Sequence, residues 1–301
     1  MQAGNHYKTV LMDLRRKKAI IFFIFTLLTI ASYMSHAQDY YNGGGNNDSW
    51  RKKPAENKQP NDLKNTTDPS GYTSINAGFA NPVGSFGNPV GNGYGGYALP
   101  GFDFDFSFSV PINHSNFGLA FMLGSYSNTY DLNNYINYLN NTSPIYGFGS
   151  LQQSVNNIYS ETSILGGFYT TYPIGRLSID GRLMIGALLN TLPEQAYGQE
   201  NINTGDIWEY DLQNSYPTSF AVDAGIGLRF MVFKLAGRQV CLMANVDYLY
   251  SEVYYNATQL EATQAANQTS PTYYQNTITG HLPVSLVNFT FGIGYQFGGG
   301  E

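Results

Sequence analysis

Apolar and polar residues alternate with a period of two in a series of stretches between Tyr72 and Phe297. The clearest runs Phe102-Asp-Phe-Asp-Phe-Ser-Phe-Ser109, where every second residue is phenylalanine. Period two places successive side chains on opposite faces of a β-strand. Eight such strands are predicted, at about 72–83, 97–112, 115–130, 159–173, 175–190, 217–232, 238–254 and 284–297. In the second, Phe102, Phe104, Phe106, Phe108 and Val110 share one face and Asp103, Asp105, Ser107 and Ser109 the other. The eighth sets Phe289 and Phe291 against Asn288, Thr290 and Gly292. The first, third, fifth, sixth and seventh divide in the same way. The fourth, around Ile164-Leu-Gly-Gly-Phe-Tyr-Thr-Thr-Tyr172, has no clear parity, and its faces stay unassigned.

Loop lengths and residue sizes choose between a soluble sandwich and a membrane barrel. The expected links are short at residues 113–114, 174 and 233–237, and long at 84–96, 131–158, 191–216 and 255–283. Strict short–long alternation puts all long loops at one end, the topology of a transmembrane barrel with short periplasmic turns and long extracellular loops. The bulky residues occupy the apolar face, while Gly, Ala and Ser dominate the other. That suits an eight-stranded barrel, whose interior is just wide enough for side chains to fill it. Strands of this length, at a rise of about 3.3 Å and a tilt near 40°, reach roughly 35–40 Å and outrun an apolar band about 25 Å tall. Tyr126, Tyr130, Tyr172, Tyr250 and Tyr254 fall near strand ends, where an interfacial aromatic girdle is expected. Leu260-Glu-Ala-Thr-Gln-Ala-Ala-Asn267 reads as a short helix in the last long loop.

The N-terminus predicts export. Lys8, Arg15, Arg16, Lys17 and Lys18 precede an apolar run from Ala19 to Ala31, followed by Ser35-His-Ala37. Basic, apolar and small regions in this order read as a secretory signal with cleavage between Ala37 and Gln38. The apolar run is shorter than the roughly 20 residues a spanning helix needs. Residues 38–70 are polar and are read as a disordered periplasmic segment, leaving 71–301 as the barrel. Removal of residues 1–37 takes five basic residues and one acid, so the formal charge moves from −6 to −10. Such acidity argues against a nucleic-acid partner. The single cysteine, Cys241, permits no internal disulfide.

Candidate chemistry is sparse. The polar faces collect Asp103, Asp105, Asp180, Asp223 and Asp247 with Arg182 and Arg229. Charges in a narrow lumen need partners, so this set reads as an internal salt-bridge network, with a cation path as the alternative. After cleavage two histidines remain, His114 in a short turn and His281 in a long loop, expected on opposite membrane sides. His281 with Asp131 or Ser285 has the ingredients of a hydrolase, but any surface histidine near polar residues gives the same signal. No catalytic residue, cofactor or metal ligand is assigned. The long loops carry Tyr, Asn and Trp, including Trp208-Glu-Tyr-Asp211, a composition suited to glycan or protein ligands.

With its signal, eight alternating strands, loop rhythm and final Tyr295-Gln-Phe297, the chain resembles the small OmpA-like and OmpX-like outer-membrane β-barrels of Gram-negative bacteria. The resemblance covers residues 72–297 and departs where Gly298-Gly-Gly-Glu301 follows the terminal aromatic. It implies an all-β, antiparallel, up-and-down barrel in outer-membrane lipid, with Phe102, Phe104, Phe106, Phe108, Phe289 and Phe291 facing that lipid. It names no single activity. Three roles stay open: a non-enzymatic structural or surface-interaction protein, a narrow cation-selective porin, and a rim-located hydrolase or acyltransferase.

Overall fold

The computed structural model describes residues 71–88, 96–112, 115–142, 146–150, 157–235 and 238–297. The expected signal sequence, its cleavage at Ala37 and Gln38, the polar segment 38–70, most of the glycine-rich stretch 91–96 and His114 lie outside the described residues. The strands are β1 (Gly71–Pro82), β2 (Gly101–Pro111), β3 (Phe117–Thr129), β4 (Tyr146–Ser150), β5 (Ile158–Ile174), β6 (Leu177–Thr191), β7 (Gln195–Asn201), β8 (Ile207–Leu212), β9 (Thr218–Leu235), β10 (Arg238–Gln264) and β11 (Thr272–Phe297). Among the described residues two helical segments join them, a single turn α1 (Gly84–Gly87) and α2 (Leu132–Thr142).

Eight strands close into a ring. The order β1-β2-β3-β5-β6-β9-β10-β11 returns to β1, because β11 pairs with both β10 and β1. All these pairings are antiparallel and join sequence neighbours within the ring. Closure leaves no unpaired edge in the ring, the condition for a strand structure to stand in lipid. The β5–β6 turn is Gly175-Arg176, with Gly175 at φ +64°, a left-handed position that glycine adopts without a Cβ clash.

The two faces follow the sequence parity. Phe102, Phe104, Phe289 and Phe291 are exposed on the outer surface. Phe106 and Phe108 share that face but are half-covered by neighbours, and the Phe108 ring stacks on Phe297 at 5.8 Å. The unassigned strand, β5, turns Tyr159, Glu161, Leu165, Tyr169 and Thr171 inward and Ile158, Phe168 and Tyr172 outward. Its inward face carries bulk, and its outward face includes Thr162, Gly166 and Thr170. Neither face is uniform, which is why the pattern gave no parity.

Several expectations change. The inner face is less uniformly small than the pattern implied, since it also buries Tyr72, Tyr126, Tyr169, Met184 and Leu249. Tyr126 and Tyr130 are buried inside rather than in an outer girdle, because they share the inward parity of Met122 and Gly124 on β3. Tyr172, Tyr250 and Tyr254 do face outward. Residues 260–267 are not a helix: β10 runs unbroken to Gln264 and pairs with β11 as far as Thr263↔Thr272. Cross-strand pairing overrides the helix propensity of Leu, Glu, Ala and Gln in this stretch.

The β10–β11 hairpin therefore projects past the ring. From Ser251 to Gln264 it adds roughly 45 Å of strand at about 3.3 Å per residue. Its far part pairs with β8, β8 with β7, and β7 with β4, extending the sheet away from the ring. The expected loops 131–158 and 191–216 thus contain ordered structure, α2 and β4 in one and β7 and β8 in the other.

Candidate functional site: a filled polar lumen and a tyrosine-lined mouth

The predicted lumen charges lie on inward positions of four ring strands. Asp103 and Asp105 come from β2, Asp180 and Arg182 from β6, Asp223 and Arg229 from β9, and Asp247 from β10, all buried. Arg182 Nη2 donates to both carboxylate oxygens of Asp247, at 2.7 and 2.8 Å. In register, β9 contributes Gly225 between these two residues. A Cβ there would collide with the Asp247 carboxylate, so the glycine keeps the ion pair's path open. Arg229 Nη2 donates to Asp180 at 3.2 Å and to Thr171 Oγ1 at 3.0 Å. Its guanidinium also lies 4.6 Å from the centre of the Tyr72 ring, a cation–π contact. Asp105 accepts from Asn76 Nδ2 at 2.7 Å and Ser107 Oγ at 2.8 Å.

Three of these acids are incompletely satisfied, Asp180 having one buried oxygen without a hydrogen-bond partner beside the one that accepts from Arg229. Asp223 has both carboxylate oxygens buried without a hydrogen-bond partner, and Asp103 has one. Asp223 sits in register between Met184 and Leu249, and it interacts electrostatically with Asp247, Arg182 and Asp105. The set of five acids and two bases leaves an excess of acids.

The long-loop end of the ring is stoppered. α1 places Phe86, fully buried, at the mouth. The backbone around it is tied by Gly96 N–H to Ser85 O at 2.8 Å and Ala98 N–H to Phe86 O at 3.0 Å. Tyr159 packs edge-on to Phe86 at 5.0 Å, and its hydroxyl donates to Gly96 O at 2.7 Å. Tyr97, at φ +48°, adopts a left-handed conformation uncommon for a bulky residue. It carries its ring against Tyr130 and Tyr135, at 6.2 and 5.4 Å. These rings join one buried cluster with Leu282, Val284 and Leu286 of β11.

Above the stopper lies a cavity of about 200 Å³. Six tyrosines line it: Tyr130, Tyr135, Tyr159, Tyr197, Tyr210 and Tyr255. Most come from an ordered piece of the former loops or from the projecting hairpin. Asp131 accepts from the backbone N–H of Asn134 at 3.1 Å, capping α2 and holding Tyr135 in place. Tyr197 of β7 stacks on Tyr210 of β8 at 5.1 Å and meets Tyr135 edge-on at 5.7 Å. Burial pushes the phenols of Tyr130, Tyr135, Tyr197 and Tyr255 up, so each remains a neutral hydroxyl at physiological pH. Behind this wall burial raises both Glu194 and Asp211 from their ordinary values, with the Asp211 charge adding to the effect on Glu194 and the hydrogen bond from Glu194 partly offsetting it on Asp211. Sequence reasoning singled out Tyr130 and the Trp208-Glu-Tyr-Asp211 segment but missed the cavity, which exists only because β10 and β11 continue as strands.

The residues considered for rim catalysis are not brought together. His281 Nε2 lies 3.2 Å from Glu252 Oε2, and its ring stacks on Tyr254 at 4.6 Å. Asp131 is engaged at α2, and Ser285 Oγ donates to Val83 O at 2.6 Å. Among the described residues no group of three or more His, Cys, Asp or Glu is placed to hold a metal ion. Cys241 is buried, with its thiol 3.4 Å from Gln296 Oε1.

No family model matches the chain, and no curated protein matches it. Solved structures similar to it include the following three. A major outer membrane protein from Thermus thermophilus has a TM-score of 0.36 and 10% identity, over 76% of this chain and 98% of that one. Ail, the attachment invasion locus protein of Yersinia pestis, has a TM-score of 0.30 and 12% identity, over 75% and 99%. The beta domain of the Bordetella autotransporter BrkA has a TM-score of 0.25 and 9% identity, over 76% and 98%. Independently of these likenesses, the closed ring of eight antiparallel strands with its apolar face outward makes the chain a small up-and-down β-barrel of the outer-membrane type.

Proposed function

We propose that this protein is an integral outer-membrane barrel with a structural, surface-interaction role, in which the ring serves as anchor and the long-loop end as the interacting surface. The observation that carries this reading is the β10–β11 hairpin, which continues well past the ring and supports β8, β7 and β4. Such an extension has no use in holding a barrel in lipid. Lipid covers the outward phenylalanines, and the long-loop end faces the exterior. Against a porin role stand the ion pairs filling the lumen and the Phe86–Tyr159 stopper at its mouth. Against rim catalysis stands the separate engagement of His281, Asp131 and Ser285.

The test uses Thr277, exposed near the far end of β11. The native Cys241 is buried and gives little background, so Thr277→Cys reports its own accessibility. A membrane-impermeant maleimide is expected to label that variant on intact cells. The purified protein is expected to give no steady conductance in planar bilayers. Labelling only after lysis contradicts the surface placement. Steady cation-selective steps that disappear in Asp105→Ala replace this reading with the porin.

A further inference from the structure

We infer that the tyrosine-lined cavity at the long-loop end is a binding site for an uncharged carbohydrate, taking one sugar ring of a neutral oligosaccharide or glycan. This rests on reading that end as the exterior surface. Among the described residues the cavity's lining contains no Lys, Arg, Asp or Glu, and its one ionisable side chain apart from the tyrosines is His281. An anionic ligand such as phosphate or a sugar acid would find no fixed positive charge there, and the nearby carboxylates lie outside the lining, Glu252 engaged with Tyr250, Tyr254 and His281 and Glu194 hydrogen-bonded to Asp211. The ligand is therefore neutral.

Its shape and polarity follow from the walls. Tyrosine rings present negative π-faces, which attract the slightly positive C–H groups on the face of a sugar ring. Gln195, Gln213 and Gln259 add amides, each with an acceptor and a paired donor. That combination matches adjacent sugar hydroxyls, which both donate and accept. A wholly apolar ligand would leave the amides unpaired on closure.

Size narrows the class further. A volume of about 200 Å³ lies below the ~300–1,000 Å³ of sites that enclose drug-sized ligands. One ring of a longer chain fits, with the rest running over the exposed hairpin. The Tyr197 ring is held in place by its stack on Tyr210 and its edge-on contact with Tyr135, so little side-chain freedom is lost on binding.

The experiment is saturation-transfer NMR on the full exported chain in detergent micelles. The probes are maltoheptaose, cellopentaose, chitopentaose and a linear mannopentaose, with an uncharged proline-rich peptide of similar mass as comparison. At least one sugar is expected to show transfer to its ring C–H protons. That transfer should fall at least fivefold in Tyr197→Ala and in Tyr255→Ala. Gln259→Ala, which leaves the aromatic packing intact, should weaken affinity several-fold while the barrel retains its wild-type heat-modifiable gel mobility. Transfer that survives Tyr197→Ala and Gln259→Ala overturns the proposal, as does no transfer from any sugar. A tyrosine-dependent signal from the peptide alone replaces carbohydrate with protein recognition. In each of these failures, surface labelling of Thr277→Cys still decides the broader reading separately.

Discussion

Removing Arg182 should destabilise the barrel more than any other single change to the lumen. Its side chain is 2% exposed and that of Asp247 4%, with the pair at 2.7 Å. With charge centres about 4 Å apart, their attraction is about 4 kcal/mol at an effective dielectric constant near 20. Breaking a buried pair from one side costs about 3–5 kcal/mol, because the remaining charge is left uncompensated. Arg182 also interacts with Asp105 and Asp223, so Arg182→Ala strips the compensating charge from several acids at once. Asp247→Ala, by contrast, leaves Arg182 with Asp105 and Asp223 nearby and removes one acid from a crowded set. The arginine variant should therefore lose about 3–5 kcal/mol and the aspartate variant at least about 1 kcal/mol less. The double variant should cost clearly less than the two single losses combined. The assay is urea unfolding from lipid vesicles at neutral pH, read by the mobility difference between folded and unfolded barrel. An Arg182→Ala loss within about 1 kcal/mol of zero would refute the reasoning, since it would mean that water already solvates these charges.

Three further outcomes follow from the same geometry. Gly225→Val places a branched side chain where the Asp247 carboxylate lies, so folded yield should fall and the loss in stability should exceed about 2 kcal/mol in the same urea assay, as expected for an overpacked site that also breaks an ion pair. Ile226→Arg puts a charge on the exposed outer face and should cost about 2–4 kcal/mol if that face meets mid-bilayer, measured as lost assembly into vesicles. Glu194→Gln tests the raised carboxylates behind the cavity. Above their raised range both ionise, and burial with mutual repulsion destabilises the β7–β8 region; as pH falls through that range they protonate, and the penalty is gone below the ordinary Glu value of 4.5. The variant should increase amide-exchange protection of β7 and β8 at pH 7 by less than about 1 kcal/mol, and the difference should vanish below about pH 4.5.

The ring was legible in the sequence because lipid and lumen demand opposite residues at alternate positions. Wherever a strand crosses the membrane, as in Phe102–Ser109, that demand writes itself as period two. It faded on β5, where Gly166 and Thr170 face outward and Leu165 and Tyr169 inward, so that size and polarity no longer track the face. It disappeared on the upper parts of β10 and β11, which run past the ring and so enclose no lumen. There Asn256-Ala-Thr-Gln-Leu-Glu261 carries no alternation, although the pairing with β11 is continuous. The inward direction of Tyr126 was readable from its parity with Met122 and Gly124, but proximity to the strand end suggested an outer girdle. The tyrosine cavity was not readable at all. It assembles residues from α2, β5, β7, β8, β10 and β11, whose spacing in the chain says nothing of their meeting.

Quenching of introduced tryptophans by lipids brominated on their acyl chains tests the orientation of the ring most directly. The measurement uses a background carrying Trp50→Phe and Trp208→Phe, with one new tryptophan at Ile226 on the outer face or at Tyr126 in the lumen. Fluorescence from position 226 should be strongly quenched in brominated vesicles, and that from position 126 left nearly unchanged. Equal quenching at both sites, or stronger quenching at 126, would mean that the phenylalanine face is not the one that meets lipid.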